Sequence, residues 1–160
     1  MRADQASVLL ELTPMQLDQL DTVMRIERAA YPISWSRKVL EDCVASTNDC
    51  WVLRYDRQIV GHSILSNVLD ETHLLNLCVE PSLSRNGFGR WMLRALIQKA
   101  MTRHSTIFFL EVRESNHRAI ALYHSEGFNE SGMRKNYYPA ENGREHAILM
   151  SLDLSFDVYT

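Results

Sequence analysis

The chain has 160 residues, of which 46% are hydrophobic and 23% charged, with a net charge of -3 at neutral pH. That length suits one domain with a single core, and a weakly acidic balance argues against a general nucleic-acid binder. No apolar run approaches the roughly 18 residues of a membrane span, and Met1-Arg2-Ala3-Asp4-Gln5 lacks the basic start and apolar stretch of a secretory leader. The three cysteines, Cys43, Cys50 and Cys78, are odd in number and show no Cys-x-x-Cys spacing. That usage fits reduced thiols in a cytosol better than a disulfide framework or a zinc site. Residues 1–160 are therefore expected to form one cytoplasmic domain, taken as a monomer, with 1–7 as a candidate disordered tail and no metal, membrane or direct nucleic-acid partner.

After a short apolar run, Val8 to Leu12, Thr13-Pro14 reads as a cap with proline at a first helical position. Leu17, Leu20 and Met24 continue at helical spacing to about Ala30, and Tyr31-Pro32 ends that helix. A short second helix is expected after Ser36, burying Val39, Leu40 and Cys43. The period then changes to that of strands. Trp51–Tyr55 and Ile59–Leu65 read as two strands around an Asp56-Arg57 turn, and His73–Val79 as a third that ends at Pro81.

From Phe88 to about His104 the pattern is helical again, with Phe88, Met92, Ala95, Leu96 and Ala100 on one face. Ile107–Val112 is an apolar strand carrying one acid, Glu111. Asn116 can cap a helix that stops at Gly127. Two last strands are expected near Phe128–Arg134 and Glu145–Leu154. This order predicts an α/β fold with a mixed, mostly antiparallel central sheet flanked by helices and a strand–helix–strand crossover in the middle.

Arg85-Asn86-Gly87-Phe88-Gly89-Arg90 lies where the third strand gives way to the long helix. A helix N-terminus carries unused N–H groups and the positive end of the helix dipole, which together suit a phosphate. Gly87 and Gly89 lack a Cβ, so the backbone can close on a ligand, and Arg85 and Arg90 add positive charge. Gly-x-Gly alone would serve several nucleotides. The nicotinamide fingerprint wants a third small residue where Met92 stands, and Glu111 sits mid-strand rather than at a strand end. The Gly-Lys-Ser/Thr of a Walker loop is absent. Both nucleotide readings are therefore disfavoured, and the placement between an apolar strand and an amphipathic helix favours phosphate binding over the alternative of a plain tight turn with two glycines.

The turn, followed by Leu110-Glu111-Val112-Arg113-Glu114-Ser115-Asn116 and by Ala119-Ile120-Ala121-Leu122-Tyr123-His124-Ser125-Glu126-Gly127-Phe128, resembles the GCN5-related N-acetyltransferase (GNAT) superfamily. The segments Arg134-Lys135-Asn136-Tyr137-Tyr138-Pro139 and Gly143–Met150 resemble its bacterial ribosomal-protein-alanine branch. The resemblance is dense from about Leu74 to Leu152 and thinner before, where Ile26-Glu27 and Trp35-Ser36 are the main matches. Two departures stand out: Ser84 occupies a position where the superfamily usually has Gln or Arg, and Ser34 precedes Trp35 where Pro-Trp is common.

The resemblance implies the GNAT fold, acetyl-CoA as co-substrate, and acetylation of a protein N-terminal α-amine, that of ribosomal protein S-eighteen. A small amine or a lysine as acceptor, or acetyl-CoA binding without turnover, are the alternatives. It implies Glu111 as general base, in a strand whose apolar neighbours are expected to surround it, and Tyr123 as the acid for the departing thiolate. Asn116 and the backbone of Leu77, Cys78 and Val79 are implied to meet the coenzyme, joining Arg85, Asn86, Gly87, Phe88, Gly89 and Arg90. Trp35, Tyr137 and Tyr138 are implied to border the acceptor peptide. Each has a plainer alternative: Glu111 on an edge strand, Tyr123 in the core, Asn116 as a cap only, and the tyrosine pair as packed loop.

Overall fold

A computed structural model describes residues 9–155, so the expected tail at 1–7 lies outside the described residues. The strands are β1 (Leu10–Pro14), β2 (Asp49–Tyr55), β3 (Gln58–Val68), β4 (Glu71–Val79), β5 (Ile107–Arg113), β6 (Asn129–Ala140) and β7 (Gly143–Asp153). The helices are α1 (Leu20–Ala30), α2 (Arg37–Ala45), α3 (Phe88–Thr102) and α4 (His117–Ser125). The strands form one mixed sheet in the order β1-β2-β3-β4-β5-β7-β6. β4 and β5 pair in parallel, from Glu71 with Ile107 to Leu74 with Leu110. A parallel pair needs a crossover, which α3 supplies. The β1–β2, β2–β3, β5–β7 and β6–β7 pairs are antiparallel. The fold class matches the expectation.

The chain falls into two compact units: one contains the chain up to Ser66 with Asn76–Leu96, the other Asn67–Leu75 with the chain from Ile97 onward. In the first, α1 and α2 place Leu20, Val23, Met24, Leu40 and Cys43 against Met15, Cys50, Val52 and Ile64, and Trp35 packs at the edge of that cluster. The turn between β2 and β3 is Asp56-Arg57, both with positive φ (50° and 68°), the twist a two-residue hairpin demands. In the second unit, the Phe108 and Phe128 rings meet edge to face at 5.7 Å, and Tyr123 lies 5.7 Å from Phe128.

Three local expectations change. Thr13-Pro14 ends strand β1 instead of opening a helix; Pro14 sits opposite Trp51 at the end of an edge strand, where a missing N–H costs no ladder bond. The helix starts only at Leu20, after a 3-10 turn at Leu17–Gln19 in which the Gln16 N–H donates to Gln19 Oε1 at 2.8 Å. Val39 is 43% exposed, while Leu40 and Cys43 carry the buried face of α2. Finally, Tyr137 and Tyr138 belong to β6, beyond a register irregularity between Arg134 and Tyr138.

Gly61, in β3, has a stricter requirement than the turn glycines. A Cβ there would stand 2.7 Å from the Cys78 carbonyl oxygen, a rigid backbone atom. At Gly132 the nearest obstacle is the flexible end of Leu149, at 3.3 Å. Gly61→Ala is expected to destabilise by about 1–3 kcal/mol through overpacking, and Gly132→Ala to stay within about 1 kcal/mol of the parent. Thermal denaturation of the two variants checks the order, and equal melting temperatures would refute it.

Candidate functional site

The expected site residues fall into two groups, one in each compact unit. In the first unit, the turn before α3 is exposed from Ser84 to Gly87. Arg85 and Gly87 both take left-handed backbone (φ 71° and 78°), with Asn86 between them. Alternating backbone of this kind curls successive N–H groups into a concave, anion-accepting nest. Nothing lies within 4 Å of the point where a Gly87 Cβ would be, so the space before the turn is open. The Asn86 amide donates to the Leu83 carbonyl at 2.9 Å and braces the turn. The first bond of α3 runs from the Trp91 N–H to the Gly87 carbonyl at 3.0 Å. The N–H groups of Phe88 and Gly89 therefore precede the helical ladder. The Phe88 ring packs on Tyr55 with centroids 5.1 Å apart. These residues fit a pyrophosphate.

On β4, side chains alternate, with Asn76 and Cys78 buried and Leu77 and Val79 half-buried on the other face. The Leu77 carbonyl, one of the expected coenzyme contacts, accepts a 2.7 Å bond from the Tyr31 hydroxyl. Behind it is a polar cluster that sequence reasoning missed. Glu27 has no exposed surface, and its Oε1 accepts from Asn76 Nδ2 at 2.8 Å and pairs with His62 Nε2 at 3.2 Å. Its Oε2 accepts from the Trp35 N–H at 3.4 Å. Burial alone would push this carboxyl up. The bonds from His62 and Asn76, with smaller help from His62 charge and the Trp35 N–H, hold it below the ordinary carboxylate value.

Glu27, His62 and Cys78 each offer a metal-ligating atom, and all three atoms lie within 4.8 Å of one another. The carboxylate is engaged by hydrogen-bond donors here, and burial pushes the Cys78 thiol well up, so it is a protonated, weakly nucleophilic group at neutral pH. A signal for this cluster did exist in the sequence. Glu27 follows Leu20, Val23 and Met24 at helical spacing, and an acid on an apolar face calls for a partner.

The second unit gathers Glu111, Tyr137 and Tyr138. Alternation along β5 buries Leu110 and Val112 and turns Glu111 to the opposite face, with its side chain 31% exposed. Its surroundings are more polar than the strand's composition suggested. Arg134 Nε donates to Glu111 Oε1 at 3.0 Å, and the Tyr137 phenol lies close enough to the same carboxylate to feel its charge. The charge of Glu111, then burial, raise the Tyr137 phenol, against a smaller opposing effect of Arg134. Tyr138 stands edge to face with Tyr137 at 5.0 Å and under the Arg113 guanidinium at 4.5 Å from its ring centre. Burial and the Glu111 charge push its phenol up to about 12. Arg113 in turn donates to Glu145 at 2.9 Å and to the Pro139 carbonyl at 2.7 Å.

Tyr123 is 6% exposed. Burial, with Tyr138 as the lesser cause, pushes its phenol well up, so it keeps its proton throughout the physiological range. Asn116 is the cap of α4, its Oδ1 accepting from the Ala119 N–H at 3.3 Å. His117 and His124 are exposed on α4. Among the described residues no helix is long and apolar enough to cross a membrane.

The acetyltransferase (GNAT) family model matches residues 19–128. The [ribosomal protein bS18]-alanine N-acetyltransferase of Escherichia coli is 38% identical over 144 residues, covering 90% of this chain and 97% of the relative. The enzyme of the same name from Salmonella typhimurium is 40% identical over 136 residues, covering 85% and 92%. The crystal structure of the Escherichia coli ribosomal-protein-alanine N-acetyltransferase superposes with a TM-score of 0.85 at 37% identity, over 91% of this chain and 94% of that one. A match to most of the chain by the family model, and near full-length similarity to these relatives, show that the chain belongs to the GNAT acetyltransferase family.

Proposed function

We propose that this protein transfers the acetyl group of acetyl-CoA to the N-terminal α-amine of a protein, and that its substrate is the N-terminal alanine of ribosomal protein bS18. The observation that carries the reading is the extent of the likeness: the bS18-alanine N-acetyltransferase of Escherichia coli is matched over 97% of its own length. In this reading the nest at Arg85–Gly87 and the first turn of α3 take the pyrophosphate. The end of β4 takes the pantetheine arm, with backbone N–H groups available to polarise the thioester carbonyl. Asn116 adds a contact to the coenzyme while it caps α4. Trp35, Tyr137 and Tyr138 border the acceptor peptide.

The chemistry asks little of the base. An α-amine has a pKa of about 7.7–8.0, so a sizeable fraction is already neutral near pH 7.5. Glu111 is then the group that takes the proton lost as nitrogen attacks the carbonyl carbon. Its ion pair with Arg134 is no obstacle, because both side chains are part exposed, 31% and 55%. Such a pair is worth about 0–1 kcal/mol in water. Tyr123, kept protonated by burial, is the donor to the sulfur as the C–S bond breaks.

Glu111→Gln and Tyr123→Phe are each expected to lower the acetylation rate roughly 100-fold or more, with coenzyme binding retained. Binding is read as thermal stabilisation: at a hundredfold excess over Kd, acetyl-CoA adds about 2.7 kcal/mol, or roughly 5–10 °C for a chain of this size. Parent-like turnover by both variants would refute the mechanism and leave a binding role alone.

A peptide with the bS18 N-terminal sequence should gain one acetyl group by mass spectrometry, and the same peptide with a blocked N-terminus should gain none. Equal labelling of both would move the acceptor to a lysine, and labelling of neither, with a polyamine acetylated instead, would make it a small amine.

A further inference from the structure

A carboxylate with no exposed surface needs donors on every side, and those donors fix what surrounds it. Glu27 has three, each from a different segment of the same compact unit: His62 on β3, Asn76 on β4, and the Trp35 N–H in the loop after α1. Among the described residues, His62 Nδ1 has no hydrogen-bond partner. The Glu27 carboxylate is held by hydrogen bonds from three separate segments. Replacing it alone by an apolar side chain leaves three donors without their acceptor, which costs stability. What the carboxylate supplies is direction.

Four residues further on, one helical turn, the Tyr31 hydroxyl bonds the Leu77 carbonyl at 2.7 Å. The loop from Tyr31 to Ser36 is therefore pinned at both ends. Its start is bonded to the backbone of β4 at Leu77, and its far end is bonded through Glu27 to the neighbouring residue Asn76. We propose that Glu27 is a positioning residue that sets this loop against β4 and thereby seats the acceptor N-terminus. This rests on the reading of the protein as an α-amine acetyltransferase whose acceptor lies along the Trp35 loop.

Glu27→Met fills the space without accepting a bond, and Glu27→Gln keeps an acceptor for the Trp35 N–H. In the Gln variant, Oε1 accepts from the Trp35 N–H, Asn76 turns its amide over to accept from the new NH2 group through Oδ1, and His62 accepts through Nε2 in its other tautomer. For Glu27→Met the Trp35 amide should exchange with deuterium about 10-fold faster or more. The KM for an alanine-starting peptide should rise about 10-fold while that for acetyl-CoA stays within about 2-fold. Glu27→Gln should restore both values to within about 3-fold of the parent. A merely structural role would lower the melting temperature without splitting the two KM values.

Parent-like peptide KM and Trp35 exchange in a folded Glu27→Met protein would overturn the proposal. So would an equal rise in both KM values. If Glu27→Met does not fold, Tyr31→Phe carries the same test, because it removes the other pin: no rise in peptide KM there overturns the proposal. Faster Trp35 exchange combined with a parent protein that acetylates no α-amine is a different failure. It overturns the functional reading, and the seating role with it, while leaving the tie itself demonstrated.

Discussion

Strand β4 sends four side chains to its buried face, and two of them are polar: Thr72, Leu74, Asn76 and Cys78. Buried polar groups must find partners, and this requirement governs what can pack there. In the unit that holds Asn76, the partner is the Glu27 carboxylate, which fixes α1 and, through Trp35, the loop after it. In the unit that holds Thr72, its hydroxyl meets Ser105 at 2.7 Å and Asn67 at 2.9 Å. Arg103 then donates to Ser105 at 3.2 Å and to the Leu69 carbonyl at 3.3 Å. A slip of one residue in β4 would turn both polar side chains outward and bury His73 and Leu75 instead. Apolar burial supplies most of the stabilisation, but it does not tell one register from another as sharply as two hydrogen-bonded polar groups do.

The second unit shows a different arrangement, a carboxylate that is both paired and part exposed. Glu111 could have been engulfed by the apolar strand that carries it. Alternation turns it outward, and Arg134 and Tyr137 reach it from β6. The β6 strand is at the sheet's edge, and its pairing with β7 is irregular between Arg134 and Tyr138. Asn136 there has a positive φ of 52°. Such irregularities re-aim side chains, which is how they are commonly used beside functional sites. Here the strand presents Arg134, Tyr137 and Tyr138 together. Arg113 and Glu145, 24% and 17% exposed, form the better-protected pair beside them. The sheltered pair holds Tyr138 under Arg113, while Arg134 of the more open pair lies over Tyr137.

Much of this was legible in the amino-acid sequence wherever local rules decide the structure. Ser36 and Asn116 are caps because each oxygen accepts an N–H three residues on, as their positions before apolar runs implied. Asp56-Arg57 and the β4–α3–β5 crossover were read from period and punctuation. The errors came where distant partners decide. Thr13-Pro14 has the form of a helix start, yet pairing with Val52 and Trp51 makes it a strand end. The residue before a proline is biased toward extended backbone in any case. Tyr137-Tyr138 looked like loop because no periodicity marks an exposed edge strand. Glu27, His62 and Asn76 lie in separate elements, so the sequence showed single polar residues in apolar runs without their meeting.

In the proposed coenzyme reading, the turn before α3 offers its anion-accepting groups from the backbone. Ser84, where a cation or an amide is usual, is exposed with extended backbone (ψ 152°). The anion-accepting features of the turn do not depend on that side chain. They are the left-handed Arg85 and Gly87, the open space before Gly87, and the N–H groups ahead of the α3 ladder. A left-handed conformation at a non-glycine residue costs about 1–2 kcal/mol, and Arg85 accepts it. The strain is local, the residue is exposed, and the conformation places its N–H in line with those that follow. Loss of a side-chain donor at Ser84 therefore removes one exposed, solvent-screened interaction. The backbone donors remain, and they are what a substitution at this turn would have to disturb.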